Sequence, residues 1–409
     1  MPMTRSVNSI FLVGLLSAFS FLTFDLYQSS IPYLVDYFST NYSLVQLTLT
    51  LYLFFFGAMQ LVWGPLIDHY GRRKLLPGCL LLAVFASLLC VFAQNIWILI
   101  IGRSLQGVAL CCANLVALST ARDFDDPLQR AKVLSYVSMI VAVSPIFAPI
   151  LGAFIFTYCG WQANFLIMAI IGLWLYVQSK NGLREAPNWT LAQDSLNFSH
   201  IMRSYREILS TPTVWSGALI MMFTFAAVML SIINSSYLII DELGYSQLGY
   251  GLIFIVNGLN IIFGNYLGIW LRRWLSMEFT IYMGAAFILG GGLVMFTMNM
   301  IYGFSLLAFA FSLVANLGIS LAAPATMSLT LSNYEKNTGL VLAVIHTIRM
   351  FGSAVLVTLC AQYLTTNLNA LPIGLFCCGF GTFISAYQFA HRRKSNPDDD
   401  NLIELKAAG

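Results

Sequence analysis

Gly64-Pro65-Leu66-Ile67-Asp68-His69-Tyr70-Gly71-Arg72-Arg73-Lys74 lies between the apolar stretches 45–66 and 75–93. Gly64 lacks a Cβ and permits close helix approach, while Gly71 permits a tight turn with positive φ. Asp68 is placed to cap or pair at the start of a helix. Arg72 and Arg73 can bind helix C-terminal carbonyls or acidic partners. A plain loop that halts membrane insertion would account for the cations. It would not account for two glycines and an aspartate at this spacing, so the segment reads as a structured turn between two membrane-crossing helices.

Composition extends that reading to the whole chain. Of its 409 residues, 59% are apolar and only 9% charged, against about 25% charged in soluble domains. Too few charges are present to cover a water-exposed surface, so lipid must be the main solvent. A net charge of +3, dispersed along the chain, gives no reason to expect nucleic acid. Seven of the eight cysteines lie in apolar runs, and Cys159 alone falls in an expected outer loop, so no disulfide framework is expected. Arg5 followed by an apolar run resembles a signal peptide. The run continues through Phe24 without a convincing small-residue cleavage site and carries Asp25, which favours a retained first helix.

About 20 mostly apolar residues cross a bilayer as a helix. On that criterion the spans are 8–34, 45–66, 75–93, 97–120, 132–156 and 161–179, then 214–238, 249–271, 279–298, 302–326, 338–364 and 370–390. The cations orient them. With both termini inside, every Lys and Arg is cytoplasmic except Arg103 and Arg349, which fall within spans. The outer loops carry Asp36, Asp241 and Glu242 instead. This asymmetry is the positive-inside pattern, and a miscounted span would scramble it.

The expectation is an all-α membrane protein of twelve transmembrane helices in two pseudo-symmetric bundles. Residues 1–179 form the first six-helix bundle, 180–213 a cytoplasmic linker, 214–390 the second bundle and 391–409 a cytoplasmic tail. Within the linker, Phe198, Ile201, Met202, Tyr205, Ile208 and Leu209 recur at helical spacing, with Arg203, Arg206 and Glu207 opposite. Such a helix suits either the cytoplasmic leaflet or the surface of the bundle. A shift of 200 residues lays Gly64, Arg72 and Arg73 on Gly264, Arg272 and Arg273, whereas Asp68 falls on Gly268. The second copy of the turn is therefore degenerate.

The 64–74 segment resembles the signature loop of the major facilitator superfamily, which is built from parallel halves of six helices. Over helices 1 to 6 the chain further resembles the Bcr/CflA group of drug:proton antiporters. That likeness rests on Phe24-Asp25-Leu26-Tyr27 with Pro32, Val45-Gln46-Leu47-Thr48-Leu49, Arg103-Ser104-Leu105-Gln106-Gly107 and Arg122-Asp123. Ser144-Pro145-Ile146-Phe147-Ala148-Pro149-Ile150-Leu151-Gly152 resembles the helix 5 antiporter motif. The likeness is weaker around Ser235-Ser236 and Glu242-Leu243-Gly244 and fades over helices 9 to 12. Ala153 stands where a second glycine is usual, and Tyr237 where a proline often follows the serine. The resemblance implies that Pro145, Pro149 and Gly152 let helix 5 lie close to a partner and seal the pathway. It also implies that Gly64, Asp68, Gly71, Arg72 and Arg73 form a conformational switch.

Asp25 is the one acidic residue well inside a span. A charge at that depth costs about 2.5–3.5 kcal/mol on insertion scales. Burial favours the neutral form of a carboxyl and a nearby cation the charged form, so a carboxyl alternating between dry and wet surroundings is suited to carry protons. The competing reading is a permanent ion pair that locks helix 1 to helix 4. Arg103 is the expected partner; always charged, it can tune Asp25 but not carry the proton. The competing reading for Arg103 is a packing clamp on backbone carbonyls. Candidates for the substrate cavity are Tyr27, Gln28, Gln106, Asn114, Tyr136, Asn234, Asn257, Asn260, His346 and Arg349, although polar groups in spans commonly join helices instead. Arg349, with His346 one turn earlier, lies outside the family pattern. Facing the cavity it would favour anionic substrates such as a siderophore.

The resulting expectation is a proton-driven exporter of small organic molecules, a multidrug-type antiporter in a bacterial inner membrane. It would need no cofactor or metal, and a monomer is the default. Transport of an anionic metabolite, by export or by proton symport, is the alternative. A membrane-embedded enzyme is more distant, since no His-Glu-x-x-His, Gly-x-Ser-x-Gly or phosphate-binding loop is present and the four histidines are far apart in sequence.

Overall fold

A computed structural model of the chain describes residues 3–120, 147–182, 185, 198–331, 338–364 and 367–395. Tyr136, Pro145 and the first part of the fifth expected span lie outside the described residues. So do Arg122, Asp123 and residues 183–184 and 186–197 of the expected linker.

The described chain is helical throughout. Its helices are α1 (Met3–Asp25), α2 (Ile31–Tyr37), α3 (Tyr42–Ala58), α4 (Gln60–Tyr70), α5 (Arg72–Val91), α6 (Ile96–Thr120), α7 (Phe147–Cys159) and α8 (Trp161–Gly182). They continue as α9 (Phe198–Ser210), α10 (Pro212–Ser236), α11 (Gln247–Leu271), α12 (Met277–Tyr302), α13 (Leu306–Leu331), α14 (Thr338–Leu364) and α15 (Ala370–Ser395). Among the described residues, nine helices are individually long and apolar enough to cross a membrane. α3 and α4, bent by 44° at their junction, make a tenth span if taken together. Outward-facing Phe85, Trp97, Ile170, Trp174, Tyr266 and Ile269 give the surface the apolar character that lipid requires.

Two expected spans are not continuous. The first breaks after Asp25, passes through Leu26 and Tyr27 into a 3₁₀ turn at Gln28–Ser30, and resumes as α2. Pro32, near the start of α2, has no N–H to offer a preceding turn, which suits it to a helix beginning rather than a helix interior. The second expected span bends at Met59. Pro65, inside α4, removes the N–H that would reach back one turn and crowds the carbonyl there. At the far end of α10 the backbone widens into a π-helical stretch, Tyr237–Glu242.

The described structure forms two compact units. The first contains residues 1–196 and 235–259. Within it α6 packs against α1, α3 and α5, and α5 also packs against α8. The second contains residues 197–234 and 260–409. There α12 packs against α13 and α15 around Ile220, Ile281, Ala322, Ala325, Ala386 and Phe389. A Cβ at Gly284 or at Gly318 would meet the other residue's carbonyl oxygen, so the α12–α13 approach depends on small residues. The linker's amphipathic helix is α9, which packs against α14 and buries Tyr205 and Ile208. Met202 and Leu209 on its other apolar edge stay exposed.

Candidate functional site

Asp25 ends α1 at the break and is only 4% exposed. Its Oδ1 accepts a hydrogen bond from Gln28 Nε2 at 2.7 Å, one turn further along the chain. Gln28, also buried, accepts through Oε1 from the Tyr250 hydroxyl of α11 at 3.2 Å. The Tyr250 hydroxyl lies 3.2 Å from Ser235 Oγ near the end of α10. The carboxyl is thus the first member of a buried chain Asp25–Gln28–Tyr250–Ser235. The helix break is what exposes Gln28 to both neighbours: the 3₁₀ turn directs its amide between α1 and α11.

Arg103 is fully buried on α6 but does not pair with Asp25. Its Nη1 donates to the Thr23 carbonyl at 3.0 Å and to Gln106 Oε1 at 2.7 Å. The guanidinium sits between the rings of Tyr27 and Tyr52, 4.6 Å and 4.5 Å from their centroids. A planar, delocalised cation fits such an aromatic slot where a lysine would not. Nε and Nη2 remain buried without a hydrogen-bond partner. The competing reading of a locked Asp25–Arg103 ion pair is not what the structure shows: a neutral amide holds the carboxyl, while a backbone carbonyl, Gln106 and two rings hold the cation.

Several cavity candidates join helices in this structure. Tyr27 bonds Thr48 Oγ1 through its hydroxyl and is fully buried. Gln106 donates to Ser87 Oγ at 2.7 Å, and Asn114 accepts from Ser17 Oγ at 2.6 Å. Asn257 is buried. In the second unit, Asn260 of α11 donates to the Leu313 carbonyl of α13 at 2.8 Å, whereas Asn234 bonds the Leu230 carbonyl within its own helix at 2.7 Å. His346 and Arg349 are half-buried on α14, and the Arg349 guanidinium lies 4.6 Å from the Phe225 ring centroid.

α7 shows why Gly152 is a glycine. A Cβ there would overlap the Leu26 carbonyl at the α1 break. One turn away, Gly251 of α11 fits against Pro149, Ile150 and Ala153. Small residues therefore bring the backbone of α7 against both the α1 break and α11.

The 64–74 turn differs in detail from its sequence reading. Gly71 has φ 82° and separates α4 from α5, as its lack of a Cβ suggests. Among the described residues nothing lies within 4 Å of where a Cβ on Gly64 would sit. The close approach is found instead at its repeat counterpart Gly264, where a Cβ would come 2.8 Å from Ser320 Cβ. Asp68 is exposed inside the last turn of α4 rather than at a helix start. The carboxylate on the first turn of α5 is Glu185, beyond α8, which accepts from Arg72 N at 3.1 Å and Arg73 N at 2.8 Å. Those are two of the four amides that a helix N-terminus leaves unbonded. Arg72 is buried and Arg73 exposed.

Tyr250 and Glu185 were not among the residues singled out from sequence. A tyrosine in an apolar helix reads as core, and nothing near Glu185 announces a partner 112 residues earlier.

The chain matches the family described as Major Facilitator Superfamily over residues 13–357. It is 30% identical over 260 residues to the uncharacterized MFS-type transporter YdgK of Bacillus subtilis, covering 63% of this chain and 64% of that one. It is 28% identical to the multidrug resistance protein MdtM of Salmonella typhimurium, covering 56% and 54%. In both cases the match spans less than two thirds of the relative. A chloramphenicol resistance protein of Pseudomonas aeruginosa is 25% identical over 97% of this chain and 94% of its own. Among solved structures, a D-xylose–proton symporter superposes with TM-score 0.75 at 14% identity, covering 95% and 97%. Given this helical frame, the glycine-hinged turn between α4 and α5, and a family match from residue 13 to residue 357, the chain belongs to the Major Facilitator Superfamily.

Proposed function

We propose that the protein is a proton-coupled exporter of small organic molecules, a multidrug-type antiporter working by alternating access. It acts as a monomer in a bacterial inner membrane with both termini cytoplasmic. The proton gradient drives it without a cofactor, and Asp25 carries the proton. The observation that carries this reading is the holding of Asp25 by the neutral amide of Gln28, with Arg103 engaged elsewhere. A carboxyl locked in a buried ion pair would resist protonation, because neutralising it strands the cation. With an amide partner, Asp25 can change charge while Arg103 keeps its carbonyl and its two rings. The multidrug and chloramphenicol resistance proteins among the relatives support export of hydrophobic drugs as the direction and substrate class.

Purified protein in proteoliposomes tests it. A pH gradient should drive uphill movement of chloramphenicol or tetraphenylphosphonium in the wild type, and Asp25→Asn should reduce it by about tenfold or more. Counterflow, which needs no net proton movement, should survive in that variant. Uphill transport by Asp25→Asn at the wild-type rate would overturn the assignment. Transport of anionic molecules is the second reading and rests on Arg349; Phe225 provides that guanidinium with an aromatic seat independent of any ligand.

A further inference from the structure

Asp25, Gln28, Tyr250 and Ser235 form a line of hydrogen bonds in which each member constrains the next. An ionised carboxylate can only accept. Facing one, Gln28 must present its NH₂ group, which turns its carbonyl oxygen toward Tyr250 and requires that hydroxyl to donate. The Tyr250 oxygen is then free to accept from Ser235 Oγ. When Asp25 takes a proton it gains a donor, and the opposite order becomes available: Asp25 donates to Gln28 Oε1, the amide turns over, and Tyr250 accepts from Gln28 and donates to Ser235. The charge of Asp25 thus sets the polarity of a chain that reaches the end of α10 and the start of α11.

The geometry points to Tyr250 as a positioning residue in proton coupling, which through Gln28 transmits the protonation state of Asp25 to the segment Ser235–Leu259. This inference rests on Asp25 being the proton carrier. Tyr250 is fully buried, its ring packs on Phe254 at 5.5 Å between centroids, and its hydroxyl bonds both Gln28 and Ser235. Buried hydroxyls that lose a partner are costly, so the chain favours wholesale reversal over local breakage. The segment it reaches is also held to the first unit by packing. Gly251 lies against α7, and the Tyr42 and Tyr237 rings are 4.6 Å apart between centroids. A change at Gln28 therefore reaches a piece of helix gripped by α7 and α3. The other charged or titratable groups acting on Asp25 from its surroundings are Arg103 of α6 and Tyr52 of α3. Both are tied to partners outside the chain of four.

The test uses Tyr250→Phe, which keeps the ring and removes only the hydroxyl, alongside Asp25→Asn in full-length protein. The first readout needs no substrate. The infrared carboxyl band of Asp25, identified as the one lost in Asp25→Asn, should change frequency in Tyr250→Phe although nothing at Asp25 itself was altered. The second readout is transport of chloramphenicol and tetraphenylphosphonium in proteoliposomes. Gradient-driven accumulation should fall by about tenfold in Tyr250→Phe with counterflow retained, and adding it to Asp25→Asn should cause no further loss. An unchanged band overturns the inference, as does an equal loss of counterflow and gradient-driven transport, which marks a merely structural role. If Asp25→Asn impairs coupling and Tyr250→Phe does not, the inference alone falls. If wild-type transport ignores both the gradient and Asp25→Asn, the exporter reading falls and takes the inference with it.

Discussion

Replacing Glu185 by alanine isolates the turn between α4 and α5 from everything that touches substrate. The wild-type carboxylate accepts from Arg72 N and Arg73 N at 3.1 Å and 2.8 Å, at the positive end of the α5 dipole. A hydrogen bond to a charged group contributes about 1.5–3 kcal/mol net. Glu185 is only half-buried, so solvent screens part of that, and about 2 kcal/mol for the pair is a fair total. Local opening of the first turn of α5 should then become about thirtyfold more frequent. Hydrogen–deuterium exchange followed by mass spectrometry, on a peptide spanning residues 70–80, measures this directly. Glu185→Gln retains one acceptor oxygen without the charge and should fall between wild type and alanine. Equal protection of that peptide in wild type and Glu185→Ala, with α8 still folded, would refute the reasoning, since those amides must then find their acceptors elsewhere.

Other substitutions test other parts of the structure. Gly152→Ala places a methyl group on the Leu26 carbonyl and should destabilise by about 1–3 kcal/mol. Thiol-reactive dyes would report it, because Cys79, Cys90, Cys111 and Cys112 are buried until the bundle opens. Arg103→Lys keeps the charge but loses the aromatic slot between Tyr27 and Tyr52, a loss of about 2 kcal/mol by the same assay. Arg349→Gln should leave chloramphenicol and tetraphenylphosphonium affinity unchanged between mildly acidic and neutral pH; a loss confined to anionic compounds would return that arginine to the substrate path. For the proposed orientation, a membrane-impermeant maleimide should label the exposed Cys159 in intact cells. A cysteine introduced as Gly409→Cys should react only after lysis.

The helices were legible because twenty-residue apolar runs leave few alternatives, and α5, α6, α8, α12, α13 and α15 lie close to their expected positions. Helix breaks were less so: Pro32 and Pro65 stand in the sequence, but where each span gives way depends also on neighbours distant in sequence. The interruption after Asp25 is where Gly152 of α7 meets the Leu26 carbonyl, and nothing local to Leu26 indicates it. Asp25 stood out because a carboxyl in an apolar run is rare. The group that bonds it was not legible, because sequence suggests charge for charge, whereas the fold turned Gln28 inward and seated Arg103 between two tyrosines. The same limitation explains the turn: a glycine's φ at position 71 is a local property and could be read, while the carboxylate that reaches it from residue 185 is set by tertiary packing.

The bend between α3 and α4 makes α4 a lever. Its 11 residues extend about 16 Å from Met59 to the turn at Gly71. A change of about 10° in the 44° angle would carry the turn through about 3 Å. That stroke is as long as the hydrogen bonds by which Glu185 holds Arg72 and Arg73. If the α4–α5 turn is the switch that its sequence resembles, a small rotation at the Met59 bend is enough to engage or release the catch at its tip, with no helix having to unwind.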